Sequence, residues 1–261
     1  MRTPPSAADW PSYLAEYHQE HPGITEDVLC RATDPAGRAP YDWLLEPLPA
    51  SGGVVLDIGC GSAPVARHLG GPVRYLGVDR SEAELRRAVA AGSVAVAVGD
   101  ACALPVGDRR ADAVVASMML MVVPDADAAL AEVGRVLRPG GTFAATVPTR
   151  PEGDDPSAEV FAEVLAVLGQ RQVRYPGRLD PATLAGRLAA AGLELCEDVR
   201  GRFTREVGPD QCRLVVDSFY AIGATDAQVA QALSLVRARA ASGPLSLTYP
   251  LRRLVAVRRS H

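Results

Sequence analysis

The sequence contains no lysine and no asparagine, and its 261 residues include only three isoleucines. All 27 basic residues are therefore arginine. Codons for the scarce residues are AT-rich, so the bias reads as genomic base composition. It still excludes every catalytic motif that needs a lysine or an asparagine. An apolar run of membrane-spanning length is also missing. The first residues, MRTPPSAADWPSYLAEYHQ, lack the apolar block of a secretion signal. The expected location is cytoplasmic, with no membrane partner. The five cysteines (Cys30, Cys60, Cys102, Cys196 and Cys212) are odd in number and form no Cys-x-x-Cys pair. That argues against a disulfide framework or a zinc ribbon and for buried free thiols.

What is present describes a globular chain with one sizeable core: 48% hydrophobic and 22% charged residues. A net charge of −4 disfavours nucleic acid as a partner. The charge is uneven, however. Residues 1–50 carry eight acids against three arginines, whereas the terminal PLRRLVAVRRSH has four arginines and no acid. A local basic patch is therefore expected there.

From about residue 52, short Val/Ala-rich runs alternate with helical spacing. VVLDI, RYLGVD, VAVAVGD, DAVVAS and TFAATV read as strands. PVARHLG, SEAELRRAVAAG and DADAALAEVGRVLRPGG read as helices ending near glycine. The alternation predicts an α/β fold, doubly wound around a mostly parallel sheet with helices on both faces. A sixth strand is expected in LELCEDVRGRFTREV and a seventh in LSLTYPLRRLVAVRR, with two helices inserted between them at about 208–243. Residues 1–50 differ: PSYLAEYHQEH and PYDWLLEPL read as helices separated by a Pro/Gly-broken loop. They form a candidate helical cap or lid, ahead of a core over 51–261.

In doubly wound sheets, ligands bind beyond the carboxyl ends of the strands. The first such end is Asp57, Gly59, Cys60, Gly61, Ser62, Ala63, Pro64. Glycines let the chain turn sharply and approach a ligand closely. A dinucleotide fingerprint would place a glycine at Pro64; proline instead suits the first turn of a helix. The second strand ends GVDRS, with Asp79 and Arg80, and Ser81 competes with Asp79 as the following helix cap. A carboxylate at Asp79 suits a ribose. The third ends VGDACALP, with Asp100 and Ala101 placed to meet an adenine.

Three acids at three consecutive strand ends, with the glycine turn and LRPGG before strand five, resemble the class I S-adenosylmethionine-dependent methyltransferases. The resemblance spans roughly residues 52–148 and points to the small-molecule type. It implies that Asp57, Gly59 and Gly61 hold the methionine end, Asp79 the ribose, and Asp100 and Ala101 the adenine, with Cys60 and Arg80 also at the cofactor site. Ser117 and Met118 would lie against the methionine portion or the transferred methyl. S-adenosylmethionine is the implied cofactor, with S-adenosylhomocysteine as product. The chain departs from the family at Ala63, where a third glycine is usual, and in the apolar SMMLMVV run after strand four.

The resemblance implies methyl transfer to a small-molecule acceptor, in a bacterial secondary-metabolism setting, by in-line displacement aided mainly by positioning. Positioning can supply on the order of 7–11 kcal/mol, and a base is needed only if the acceptor must lose a proton. His18 and His21 are the candidate bases. Tyr13, Tyr17, Met121, Phe203, Phe219 and Tyr220 are candidates for the substrate pocket, with Arg178 or Arg205 for an anionic group. No metal site is expected, since His18-x-x-His21 lacks further ligands. An RNA methyltransferase and a cofactor-binding protein without transfer are the alternatives. A homodimer is compatible with the sequence.

Overall fold

The computed structural model describes residues 10–49, 52–92, 95–150, 155–170, 175–177, 179–220, 223–241 and 243–260. Three helices precede the first strand: α1 (Trp10–Glu20), α2 (Ile24–Leu29) and α3 (Pro40–Leu45). The alternating region follows as β1 (Val54–Ile58), α4 (Pro64–His68), β2 (Arg74–Asp79), α5 (Glu82–Ala90), β3 (Ala95–Val98), β4 (Ala111–Ser117), α6 (Ala126–Val136) and β5 (Leu137–Pro148). Then come α7 (Pro156–Val167), α8 (Pro181–Ala190) and β6 (Leu193–Val207). A single 3-10 turn, α9 (Cys212–Asp217) and α10 (Asp226–Ala240) lead to β7 (Leu245–Arg258).

The seven strands form one sheet in the order β3-β2-β1-β4-β5-β7-β6. β1 to β5 pair in parallel, and β7 runs antiparallel to both β5 and β6. Chain order reverses between β1 and β4, which opens a crevice at the carboxyl ends of these strands.

Strand alternation divides the core between two faces. Leu56, Ile58, Val114, Ala116 and Phe143 pack with Leu130 and Val133 of α6 and Leu184 and Leu188 of α8. Val55, Ala113, Val115 and Ala144 pack on the other face, with Tyr41, Trp43 and Leu44 of α3 and Val65 of α4. Val164, Val216 and Val236 of α7, α9 and α10 close over Val207 and Leu247 at one end of the β6–β7 pair.

Three expectations change. The segment between the first two predicted helices contains α2, which side-chain contacts hold in place. Arg87 bonds Asp27 at 2.6 Å, Ser62 bonds Glu26 at 2.6 Å, and Arg205 donates to the Asp27 and Val28 carbonyls. β5 begins at Leu137, because LRPGG forms an irregular start to the strand; the register with β4 shifts between Ala111 and Ala113. Of the terminal arginines, Arg252 and Arg253 add nothing to an open basic patch, since both are buried and paired with Asp198, Glu197 and Glu46.

Candidate active site

The loop after β1 turns tightly because Gly59 and Gly61 take positive φ values of 65° and 53°. Gly59 N–H and Cys60 N–H both donate to the Val78 carbonyl, which ties the turn to β2. Ala63 also has a left-handed φ, 56°, and caps α4, whose first residue is Pro64. Ala63 is fully buried and is absent from the cleft wall, so its methyl does not narrow the cleft.

Asp57, on β1 just ahead of this turn, is buried. Tyr75 Oη donates to Asp57 Oδ2 at 2.8 Å, while Oδ1 is buried with no hydrogen-bond partner. Burial raises the Asp57 pKa to about 7, partly offset by the Tyr75 bond. Asp79 accepts from Gly61 N–H and Ser81 N–H, both at 2.8 Å. Burial also raises Asp79, against those two bonds. Ser81, and not Asp79, caps α5 by accepting from Glu84 N–H. Asp100 accepts from Cys102 N–H at 2.8 Å and stands 4.0 Å from Arg80.

These residues line one cleft of about 570 Å³. Every residue expected at the cofactor site borders it: Asp57, Gly59, Cys60, Gly61, Asp79, Arg80, Asp100, Ala101, Ser117 and Met118. The volume lies in the usual range for a cofactor-sized ligand. An orphaned buried carboxylate oxygen also suits a ligand that brings an ammonium group. The three carboxylates at consecutive strand ends are acceptors of the kind that S-adenosylmethionine would need.

His18 reaches the same cleft from α1. Its Nδ1 lies 2.9 Å from Glu84 Oε1, and Glu84 Oε2 accepts from Gly23 N–H at 2.8 Å. Arg87 adds a bond to the Pro22 carbonyl. The segment from His18 to Asp27 is thereby clasped onto α5.

A second cavity, of about 1060 Å³, adjoins the first. Met121, Phe219 and Tyr220 border it, as expected of pocket residues. Thr25, Met118 and Tyr220 line both spaces and form their common wall. Met118 and Tyr220 both have left-handed backbones, with φ 56° and 47°. Such strain in bulky residues often marks a functional position.

Other expectations are corrected. His21 lines neither space; it packs 4.8 Å from the Tyr17 ring and 3.9 Å from Asp217. His18 borders the cofactor cleft but not the second cavity. Tyr13 and Tyr17 border neither: they stack on one another, and the Tyr17 hydroxyl donates to the Asp217 carbonyl. Phe203 is fully buried against Trp43, at 5.3 Å between ring centres. Arg205 is buried in its bonds to α2. Arg178 lies outside the described residues. Tyr75, Glu84 and Thr25 were not singled out by the sequence, because each acts through a partner distant in the chain.

A family model described as "Methyltransferase domain" matches residues 56–145. The nocamycin O-methyltransferase of Saccharothrix syringae is 30% identical over 253 residues, covering 80% of this chain and 85% of that protein. Methyltransferase GfsG of Streptomyces halstedii is 32% identical over 191 residues, covering 67% and 65%. The solved structure of the [4+2]-cyclase SpnF superposes with a TM-score of 0.61, at 19% identity and 95% and 96% coverage. That last likeness concerns the fold alone.

Proposed function

Since the chain belongs to the class I S-adenosylmethionine-dependent methyltransferases, we propose that it methylates a small molecule held in the second cavity. The observation that carries this reading is the shared wall of Thr25, Met118 and Tyr220 between a cofactor-sized cleft and a larger, mainly apolar space. An acceptor in that space meets the donor across this wall, whereas Arg252 and Arg253, buried in ion pairs, offer a polynucleotide no phosphate contact. The relative named for nocamycin supports an acceptor of secondary-metabolite kind and an oxygen as the methylated atom.

Bound S-adenosylmethionine supplies a methyl group already activated on a sulfonium sulfur. The protein's part is to bind, align and keep water out. Asp57 and the glycine turn hold the amino-acid end, Asp79 the ribose and Asp100 the adenine. Met118 and Tyr220 set the approach of the acceptor, and their apolar surfaces exclude competing water. Such alignment accounts for a large share of rate enhancement in displacement reactions.

The test is a label experiment. The protein is incubated with methyl-labelled S-adenosylmethionine and either a small-molecule extract of an actinobacterial culture or total RNA. Label entering the organic-soluble fraction, with S-adenosylhomocysteine formed, is the expected result. Label entering RNA instead contradicts the reading.

A further inference from the structure

Asp57 on β1 stands opposite Gly77 in the parallel pairing with β2, and Tyr75 is two residues earlier on β2. With period-two alternation, Tyr75, Gly77 and Asp79 present the same face of the sheet. A Cβ on Gly77 would lie 2.9 Å from Tyr75 Oη and 2.7 Å from Cys60 Sγ. The absent side chain leaves a lane along which the tyrosine reaches diagonally to Asp57. Its hydroxyl bonds one carboxylate oxygen at 2.8 Å and leaves the other buried and unbonded. Nothing in the family pattern of acids and glycines described above includes Tyr75.

Building on the reading of the cleft as a cofactor site, we propose that Tyr75 is a positioning residue for the amino-acid end of the cofactor. Its bond fixes the rotamer of Asp57, favours its carboxylate form and reserves the second oxygen for the ligand's ammonium group.

The electrostatics agree. Burial drives the Asp57 pKa up to about 7, and the Tyr75 bond works in the opposite direction. The groups facing Asp57 are Tyr75 and Asp79 from β2, Cys60 from the turn and Tyr41 from α3. Burial pushes both phenols and the thiol upward, so they stay neutral in the working range. Asp79, with His18 nearby, is the remaining source of pH dependence. A ligand pair separates the two carboxylates. S-adenosylhomocysteine meets both Asp57 and Asp79. 5′-Methylthioadenosine lacks the amino-acid end and meets only Asp79.

The experiment is calorimetric titration of both ligands into the wild-type protein and Tyr75→Phe from pH 5.5 to 8.5. In the wild type, the ratio of S-adenosylhomocysteine to methylthioadenosine affinity falls about tenfold per pH unit below about 7. In Tyr75→Phe this limb moves upward by about one unit, because the ionised carboxyl has lost a hydrogen bond. Methylthioadenosine binding is unchanged. A ratio in Tyr75→Phe that superimposes on the wild type at every pH overturns the proposal. So does an equal loss of both ligands, the mark of a merely structural role. A wild type that binds neither ligand overturns the cofactor reading, and this inference with it.

Discussion

His18 Nδ1 stands 2.9 Å from Glu84 Oε1, joining the first helix to the helix after β2. The same carboxylate accepts from Gly23 N–H, and neighbouring Arg87 bonds Asp27 and the Pro22 carbonyl. His18 and Gly23 border the cofactor cleft, so the clasp lies against the space a ligand would fill. Glu84→Ala removes two bonds to a buried carboxylate, about 1.5 kcal/mol or more. The expected outcome is a roughly tenfold faster release of S-adenosylhomocysteine, with a smaller change in its association rate. Stopped-flow displacement measures it. An unchanged release rate would remove the lid role from α1 and α2.

Asp57→Asn separates binding from stability. The carboxyl has a folded pKa near 7, above the unfolded value of about 3.9. Between these values the unfolded chain ionises and the buried group does not. Stability of the ligand-free protein therefore falls as pH rises from about 4 to 7, then levels off for this group. Asp57→Asn is expected to raise the Tm of the ligand-free protein by a few degrees, roughly 3–6 °C, at pH 8. At pH 4.5 it changes the Tm little. The same variant loses S-adenosylhomocysteine affinity by roughly tenfold or more. Thermal melts at the two pH values, paired with calorimetry, check both halves.

Ala63→Gly tests the break in the glycine pattern. Ala63 sits at φ 56°, where a Cβ costs roughly 1–2 kcal/mol. Glycine relieves that strain but adds freedom to the unfolded chain, about 0.5–1 kcal/mol. A net gain of up to about 1 kcal/mol is expected, seen as a Tm rise of about 2–4 °C. Cofactor affinity stays within about twofold, because Ala63 does not border the cleft. A fall in Tm would show that the alanine methyl is needed for packing.

The strands and most helices were legible because their Val/Ala runs and capped helical segments agree with their burial. The acids at strand ends were legible for the same reason: a doubly wound sheet brings these ends to one crevice. α2 was not. It follows Pro22 and Gly23, has no side-chain cap, and is held by Arg87, Ser62 and Arg205 from elsewhere in the chain. Aromatic residues misled most. Phe203 and Phe219 look alike in sequence, yet one is sealed against Trp43 and the other borders a cavity. Tyr75 was passed over because its role depends on Gly77 making room across a strand pair. Register of this kind follows from the sheet as a whole.

The crevice at Asp57, Asp79 and Asp100 is the proposed S-adenosylmethionine site. Asp79 offers the clearest single probe, since its carboxylate joins the glycine turn at Gly61 to the cap of α5 at Ser81. Calorimetry of S-adenosylmethionine and NADH with the wild type and Asp79→Ala is the direct measurement. The wild type is expected to bind S-adenosylmethionine and not NADH, and Asp79→Ala to bind it about tenfold or more weakly, for loss of charge-assisted bonds to the ribose. Equal binding by Asp79→Ala, or a wild type that prefers NADH, would contradict that assignment.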